Sequence, residues 1–222
     1  MFEAVLFDLD GTLADTAPDL GNAVNALLRE EARAEQSLAS LRLFTSQGVR
    51  GLLRAGFGIT PEHPDYPQLS RRFLELYEAR LCTDTQLFDG IPELLDRLEA
   101  MHLGWGVVTN KRQRFTNPLV ALLGLAPRSN CIVSGDTTAE AKPSPLPVLH
   151  ACQLLGSAPE RTLYVGDDRR DIVAGRAAGC LTVAVSYGYL GDGGPLASWG
   201  ADLIIDHPDE LAAFLAKRVA PK

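Results

Sequence analysis

Cysteine is scarce in this chain, and no two of its four cysteines form a Cys-x-x-Cys pair. Cys82, Cys131, Cys152 and Cys180 do not make the disulfide framework of a small secreted domain. They read as buried thiols in a reducing cytosol. Long apolar runs are also missing: nothing approaches the ~20 residues of a membrane span. The start, Met1-Phe2-Glu3-Ala4-Val5-Leu6-Phe7-Asp8, carries acids where a signal peptide carries bases. A soluble, cytoplasmic protein with no membrane partner is therefore expected. Positive charge is in deficit as well. Lys and Arg number 21 against 28 Asp and Glu, a net charge of −7. That disfavours a binder of nucleic-acid backbones, which needs a basic surface. A small phosphorylated molecule stays open, provided a local cation offsets the charge. Internal repeats and low-complexity tracts are absent too, and nothing marks an oligomeric interface.

What is present is an ordinary globular composition, 46% hydrophobic and 22% charged over 222 residues. Short β-branched runs alternate with longer helical stretches, which predicts an α/β fold with a parallel sheet. Strands are expected at Ala4 to Phe7, Gly106 to Thr109, Thr162 to Val165 and Leu181 to Val185, with weaker ones at Cys131 to Ser134 and Leu203 to Ile205. Each strong strand on the path to the site runs into polar residues: Asp8, Thr109-Asn110 and Gly166-Asp167. In open parallel sheets, ligands bind beyond the carboxyl ends of the strands. From about Thr16 to Thr83 the rhythm breaks and only helical pattern remains. Thr16-Ala17-Pro18-Asp19 looks like a capping box, and Leu20, Val24, Leu27 and Leu28 recur at helical spacing. Ser70 to Cys82 reads as another amphipathic helix, with a Gly- and Pro-rich loop from Gly56 to Pro67. The expected division is a core of residues 1–15 and 85–222, interrupted by an all-helical cap of residues 16–84.

The sharpest motif is Asp8-Leu9-Asp10-Gly11-Thr12, directly after the first strand. With 16 Asp and 12 Thr in the chain, Asp-x-Asp-x-Thr is expected by chance about 0.06 times. Two carboxylates at i and i+2 of an extended segment point the same way and repel each other. A metal, or a catalytic division of labour, supplies the reason to tolerate that. A second acidic cluster, Gly166-Asp167-Asp168-Arg169-Arg170-Asp171, follows another strand, and Asp171 is expected to open a helix that stops at Gly179. Oxygen-only ligands at one sheet edge suit Mg²⁺. Thr109 and Asn110 can donate to phosphate oxygens. Lys142, one of only four lysines, precedes a proline-started helix and supplies the cation that a phosphate site needs.

These motifs, Asp-x-Asp-Gly-Thr, Thr-Asn, Lys-Pro and Gly-Asp-x-x-x-Asp in this order, resemble the haloacid dehalogenase superfamily. The helical stretch after the first motif is similar to its helical-cap class. Trp105 to Lys111, Tyr164 to Asp168, Trp199 to Asp202 and Asp206-His207-Pro208 are similar to the phosphoglycolate phosphatase branch and to bacterial N-acetylmuramic acid 6-phosphate phosphatases. The resemblance implies a Rossmann-like core and a Mg²⁺-dependent phosphomonoesterase acting through an aspartyl-phosphate. It implies Asp8 as nucleophile and Asp10 as general acid and base. Thr109, Asn110 and Lys142 would hold the phosphoryl group. Metal ligands would come from Asp8, Asp10 and Asp167, with Asp168 or Asp171 in support. Both implied substrates carry a carboxylate, so Arg50, flanked by Gly48 and Gly51, is the candidate for specificity. A sugar phosphomutase shares all four motifs. A phospho-receiver signalling domain uses similar groups, but in another order.

Overall fold

The computed structural model describes residues 1–191 and 193–218; the last four residues of the expected core span lie outside them. The chain begins with β1 (Ala4–Phe7), β2 (Ala14–Asp15), α1 (Ala17–Glu30), α2 (Leu38–Arg42), α3 (Gly48–Phe57) and α4 (Tyr66–Glu78). It continues with β3 (Gln86–Leu87), α5 (Ile91–Ala100), β4 (Gly104–Val108), α6 (Gln113–Leu122), β5 (Cys131–Val133) and α7 (Leu146–Leu155). Last come β6 (Thr162–Gly166), α8 (Arg169–Ala178), β7 (Leu181–Val185), β8 (Leu203–Ile205) and α9 (Pro208–Ala216).

Six of these strands form one parallel sheet in the order β5-β4-β1-β6-β7-β8. β1 is central, with Ala4 to Phe7 in register with Gly104 to Val107 on one side and Thr162 to Val165 on the other. Both faces are covered by helices, so β1 is buried at every position. The ends of β1, β4 and β6 consequently lie side by side at one edge, which places Asp8, Thr109 and Asp167 together. This is the α/β core the alternating pattern predicts.

Between β1 and β4 the chain builds a second apolar cluster from α1 to α4. Leu20, Val24, Leu27, Leu28, Leu41, Leu52, Leu53, Phe57, Phe73 and Tyr77 form it, joined by Phe115 from α6. The chain enters and leaves this helical layer side by side, where β2 and β3 pair antiparallel through Ala14–Leu87 and Asp15–Gln86. Two-residue strands are too short to show an alternating pattern, and nothing in the composition marks them.

The entry differs from the capping box the sequence suggests. Thr16 is the N-cap residue of α1, but its side chain makes no capping bond. The hydroxyl of Tyr189, from the loop after β7, accepts instead from the N–H of Thr16 (2.7 Å) and of Ala17 (2.9 Å). Asp19 is drawn elsewhere too. Its carboxylate accepts from the N–H groups of Asp84 and Thr85 and from the Thr85 hydroxyl (2.7 Å), pinning the exit of the layer to its entry. The helix predicted at Ser70 to Cys82 is α4, which starts four residues earlier, and α3 reaches into the stretch read as loop. Among the described residues no helix is long and apolar enough to cross a membrane.

Candidate active site

Parallel pairing carries past the end of β1, since Asp8 N–H donates to Val165 O (2.9 Å). The chain then turns sharply: Leu9 O accepts from the N–H of Leu13 (3.1 Å) and Ala14 (2.9 Å). The turn brings Gly11 against Asp167. A Cβ at Gly11 would lie 2.1 Å from Asp167 Oδ2, and φ there is +88°. Only glycine meets both conditions.

Asp8, Asp167 and Asp171 are all buried, and each offers one carboxylate oxygen within 4.8 Å of the others. Asp167 is tied down by the Thr12 hydroxyl (3.1 Å) and by Tyr189 N–H (2.8 Å). Burial, then the charges of Asp8 and Asp171, push its carboxyl well above the usual carboxylate range. Burial likewise pushes Asp171 up to about 7, against the pull of Lys142 and with the push of Asp8.

Lys142 answers this negative charge. Its side chain is 2% exposed, and Nζ lies 2.7 Å from Asp171 Oδ1 and 2.9 Å from Val108 O. Nζ is also 2.9 Å from Asp8 Oδ1 as an ion pair. That contact lacks hydrogen-bond geometry, so Asp8 Oδ1 is buried without a donor. Burial would lower the ammonium's pKa, but Asp171 and then Asp8 hold it well above its ordinary value.

An all-oxygen triad with an unsatisfied buried oxygen fits a hard divalent cation. The donor set contains no sulfur or imidazole that would favour a softer metal.

Asp168 stands apart from the triad. Its carboxylate caps α8, accepting from Arg170 N–H (2.8 Å), while Asp171 Oδ2 accepts from Asp168 N–H (3.1 Å) in a capping box. The helix thus opens at Arg169 under an Asp168 cap, two residues before the start the sequence suggested. Burial alone would raise the Asp168 carboxyl, but the fork of Arg170 holds it below its ordinary value.

Thr109 is buried directly after β4, and its hydroxyl accepts from Lys111 N–H (3.2 Å). The Asn110 side chain forms a reciprocal pair with the Lys142 backbone: Nδ2 donates to Lys142 O and Oδ1 accepts from Lys142 N–H, both 2.9 Å. Its amide therefore fixes the lysine-bearing loop, a task the sequence reading did not give it.

Asp10 lies outside the triad. Its Oδ1 accepts from the Thr16 hydroxyl (2.6 Å) and from Lys111 Nζ (2.8 Å). Lys111 was not among the expected site residues. Its side chain is 8% exposed, and its ammonium sits 4.9 Å from the centroid of the Tyr77 ring on α4. Burial opposes the charge, but Asp10, then Tyr77, keep it protonated. The available signal was its place immediately after Thr109-Asn110, at the strand end already assigned to the site.

Arg50 is exposed in the first turn of α3 and is not part of the carboxylate cluster. It lines a separate cleft of about 340 Å³ with Gln47, Arg54, Thr60, Pro61 and Arg170.

Residues 5–185 match the family model described as haloacid dehalogenase-like hydrolase. A protein named N-acetylmuramic acid 6-phosphate phosphatase, from Pseudomonas aeruginosa, is 44% identical over 213 residues, covering 96% of this chain and 94% of that one. A protein named phosphoglycolate phosphatase, from Xanthomonas campestris pv. campestris, is 46% identical over 212 residues, covering 94% of each. The crystal structure of a predicted phosphoglycolate phosphatase from Haemophilus somnus superposes with a TM-score of 0.85 at 28% identity, over 96% of this chain and 98% of that one. The chain belongs to the haloacid dehalogenase-like hydrolases.

Proposed function

We propose that this chain is a Mg²⁺-dependent phosphomonoesterase, with residues 16–84 as a cap over a core of 1–15 and 85 onward. The observation that carries the reading is the buried Asp8, held beside Lys142 and two further carboxylates at the sheet edge. An Asp8 oxygen attacks phosphorus, and the ester P–O bond breaks to leave an aspartyl-phosphate. The departing alkoxide takes a proton from Asp10. A water then attacks the phosphorus, gives its proton to Asp10 and releases phosphate as the P–O bond to Asp8 breaks. Asp10 is suited to this exchange because both its contacts fall on Oδ1, leaving Oδ2 without a partner among the described residues. Lys142 and Thr109 hold phosphoryl oxygens, and Asn110 keeps the Lys142 backbone in place. Asp8, Asp167 and the main-chain carbonyl of Asp10 would hold Mg²⁺, supported by Asp171. When bound, the cation offsets the repulsion between the carboxylates and an anionic phosphate.

The substrate is a small phosphorylated carboxylate or sugar phosphate. N-acetylmuramic acid 6-phosphate is the first candidate and 2-phosphoglycolate the second, and both relatives with those names are comparably similar. Arg50 would meet the carboxylate of either. The four free thiols suit a reducing compartment, and we place the enzyme in the cytoplasm.

The test is phosphate release from a panel of esters by the wild-type chain and by Asp8→Asn. Turnover by the wild type and a loss of at least about a thousandfold in Asp8→Asn are expected. Normal turnover by Asp8→Asn overturns the nucleophile. Transfer of phosphate between sugar hydroxyls without net release overturns hydrolysis in favour of a mutase.

A further inference from the structure

One side chain that the phosphate chemistry does not use spans the two layers. Arg170 stands in the first turn of α8, next to the carboxylate cluster, close enough for the charges of Asp171 and Asp8 to act on it. Asp168 grips it from both sides: Nε donates to Oδ1 (2.9 Å) and Nη2 to Oδ2 (2.8 Å). Such a two-point contact fixes the plane of the guanidinium as well as its position. Nη2 also donates to Ser46 O (2.6 Å), in the turn just before α3. Nη1 has no partner among the described residues. Arg170 thus reaches from the core to the helical layer, and it lines the cleft of about 340 Å³ together with Arg50 and Arg54.

Among the described residues, those lining that cleft bring three guanidinium groups and no carboxylate, while the Asp168 carboxylate grips Arg170 from the core. In a chain of net charge −7 this is a local concentration of guanidinium groups. Its walls come from both layers, and its volume falls in the range of small-molecule sites, about 300–1,000 Å³. A two-carbon acid would leave most of it to water. A sugar-sized body would fill it, with a carboxylate directed at the arginines. Arg54 is engaged with Gln47 Oε1 (2.8 Å) and lies over the Phe44 ring. Glu62 lies within electrostatic reach of Arg50, its carboxylate held by Thr60 and by its own backbone.

We infer that Arg170 is a specificity-determining residue, aimed by Asp168, which clamps the carboxylate of a phosphorylated sugar acid from the core side while Arg50 meets it from α3. Asp168 is in this scheme a positioning residue. The inference rests on the phosphatase reading and goes beyond it by putting half of the selectivity in the core. A substrate that engages both arginines bridges the two layers, so the carboxylate assists closure as well as binding.

The experiment compares kcat/KM for N-acetylmuramic acid 6-phosphate with that for N-acetylglucosamine 6-phosphate, which lacks the lactyl carboxylate. The wild type should prefer the acid. Arg170→Met and Arg50→Met should each lower that preference at least tenfold, the value of about one lost charge-assisted contact. Asp168→Asn should lower it less, mainly through KM for the acid, and Arg170→Lys should restore only part of it. Arg50 is exposed, so its variant reads out the clamp even if Arg170→Met fails to fold. A preference unchanged within twofold in both the Arg170 and Arg50 variants overturns the clamp and leaves the phosphatase reading standing. An equal fall on both esters in Arg170→Met overturns the specificity role and makes Arg170 structural. Absence of phosphate release by the wild type from both sugar esters, with release from 2-phosphoglycolate, overturns the clamp alone; absence from all three overturns both readings together.

Discussion

Lys111 Nζ lies 2.8 Å from Asp10 Oδ1, across 101 residues of sequence, and the same ammonium rests 4.9 Å from the Tyr77 ring centroid. A group from β4's far end therefore sets the position of the carboxylate that follows β1, and it does so while touching the helical layer. That carboxylate is the one proposed to move protons. It is held by a cation and by the hydroxyl of Thr16.

This predicts a leaving-group effect. Lys111→Met should lower kcat for alkyl phosphates by roughly ten- to a hundredfold, part of the 10²–10⁴ typical of general acid–base catalysis. For 4-nitrophenyl phosphate, whose leaving group needs no proton, the loss should be several-fold smaller. Equal losses on both classes of ester would show that Lys111 acts on something other than Asp10.

Removing divalent cations should make stability fall with rising pH. Asp171 titrates at about 7 in the folded chain, above its ordinary 3.8, with Asp167 shifted the same way. Their protonated forms therefore favour the folded state. That contribution is complete below about pH 4 and is lost as pH rises through about 7. In chelator, Tm measured by calorimetry should decline from pH 5 to pH 8. Saturating Mg²⁺, which favours the ionised triad, should remove most of the decline. A chelated protein with a flat or rising Tm over this range would contradict the assignment.

Gly11→Ala tests the close approach of the first motif to the second. The added methyl collides with the Asp167 carboxylate at a backbone conformation already unfavourable to alanine. A loss of about 1–3 kcal/mol in denaturant unfolding is expected, together with weaker Mg²⁺ binding measured by titration calorimetry. A neutral substitution would mean that the turn is less tightly held than described.

Tyr189→Phe removes the acceptor for two N–H groups at the start of α1 and the donor to Asp15 Oδ1 (2.9 Å). The groups left unpaired are buried, which sets the cost at about 1–3 kcal/mol. Urea unfolding measures it. Thr16→Ala, which breaks no helix cap, should cost less stability but should displace Asp10 and reduce kcat.

What could be read from the sequence was local. Asp8-x-Asp10-Gly-Thr and the Asp167–Asp171 cluster each follow an apolar strand, so chain position alone placed them at one edge, while Lys142 was marked by its place before a proline-started helix and by the site's need for a cation. What could not be read depends on distant partners. Thr16 and Asp19 have the spacing of a capping box, but Asp10 and the 84–85 turn take their side chains in contacts of 2.6 and 2.7 Å. Asp168 sits among metal-ligand candidates in the sequence, and its fork with Arg170 is visible only when the rotamers are known. Arg50 has the right type for a carboxylate, but its neighbour across the cleft, Arg170, is 120 positions away.

Tyr189 has a consequence for the order of assembly. Its N–H ties Asp167 and its hydroxyl caps a helix that begins 172 residues earlier. During synthesis, α1 to α4 leave the ribosome long before that residue exists. The helical layer can collapse on its own apolar cluster, but its entry stays uncapped and the second motif unanchored until β7 has been made. Contacts of such high sequence separation form late, because loop closure must precede them. The nascent chain is therefore unable to present a finished carboxylate triad until Tyr189 has been translated.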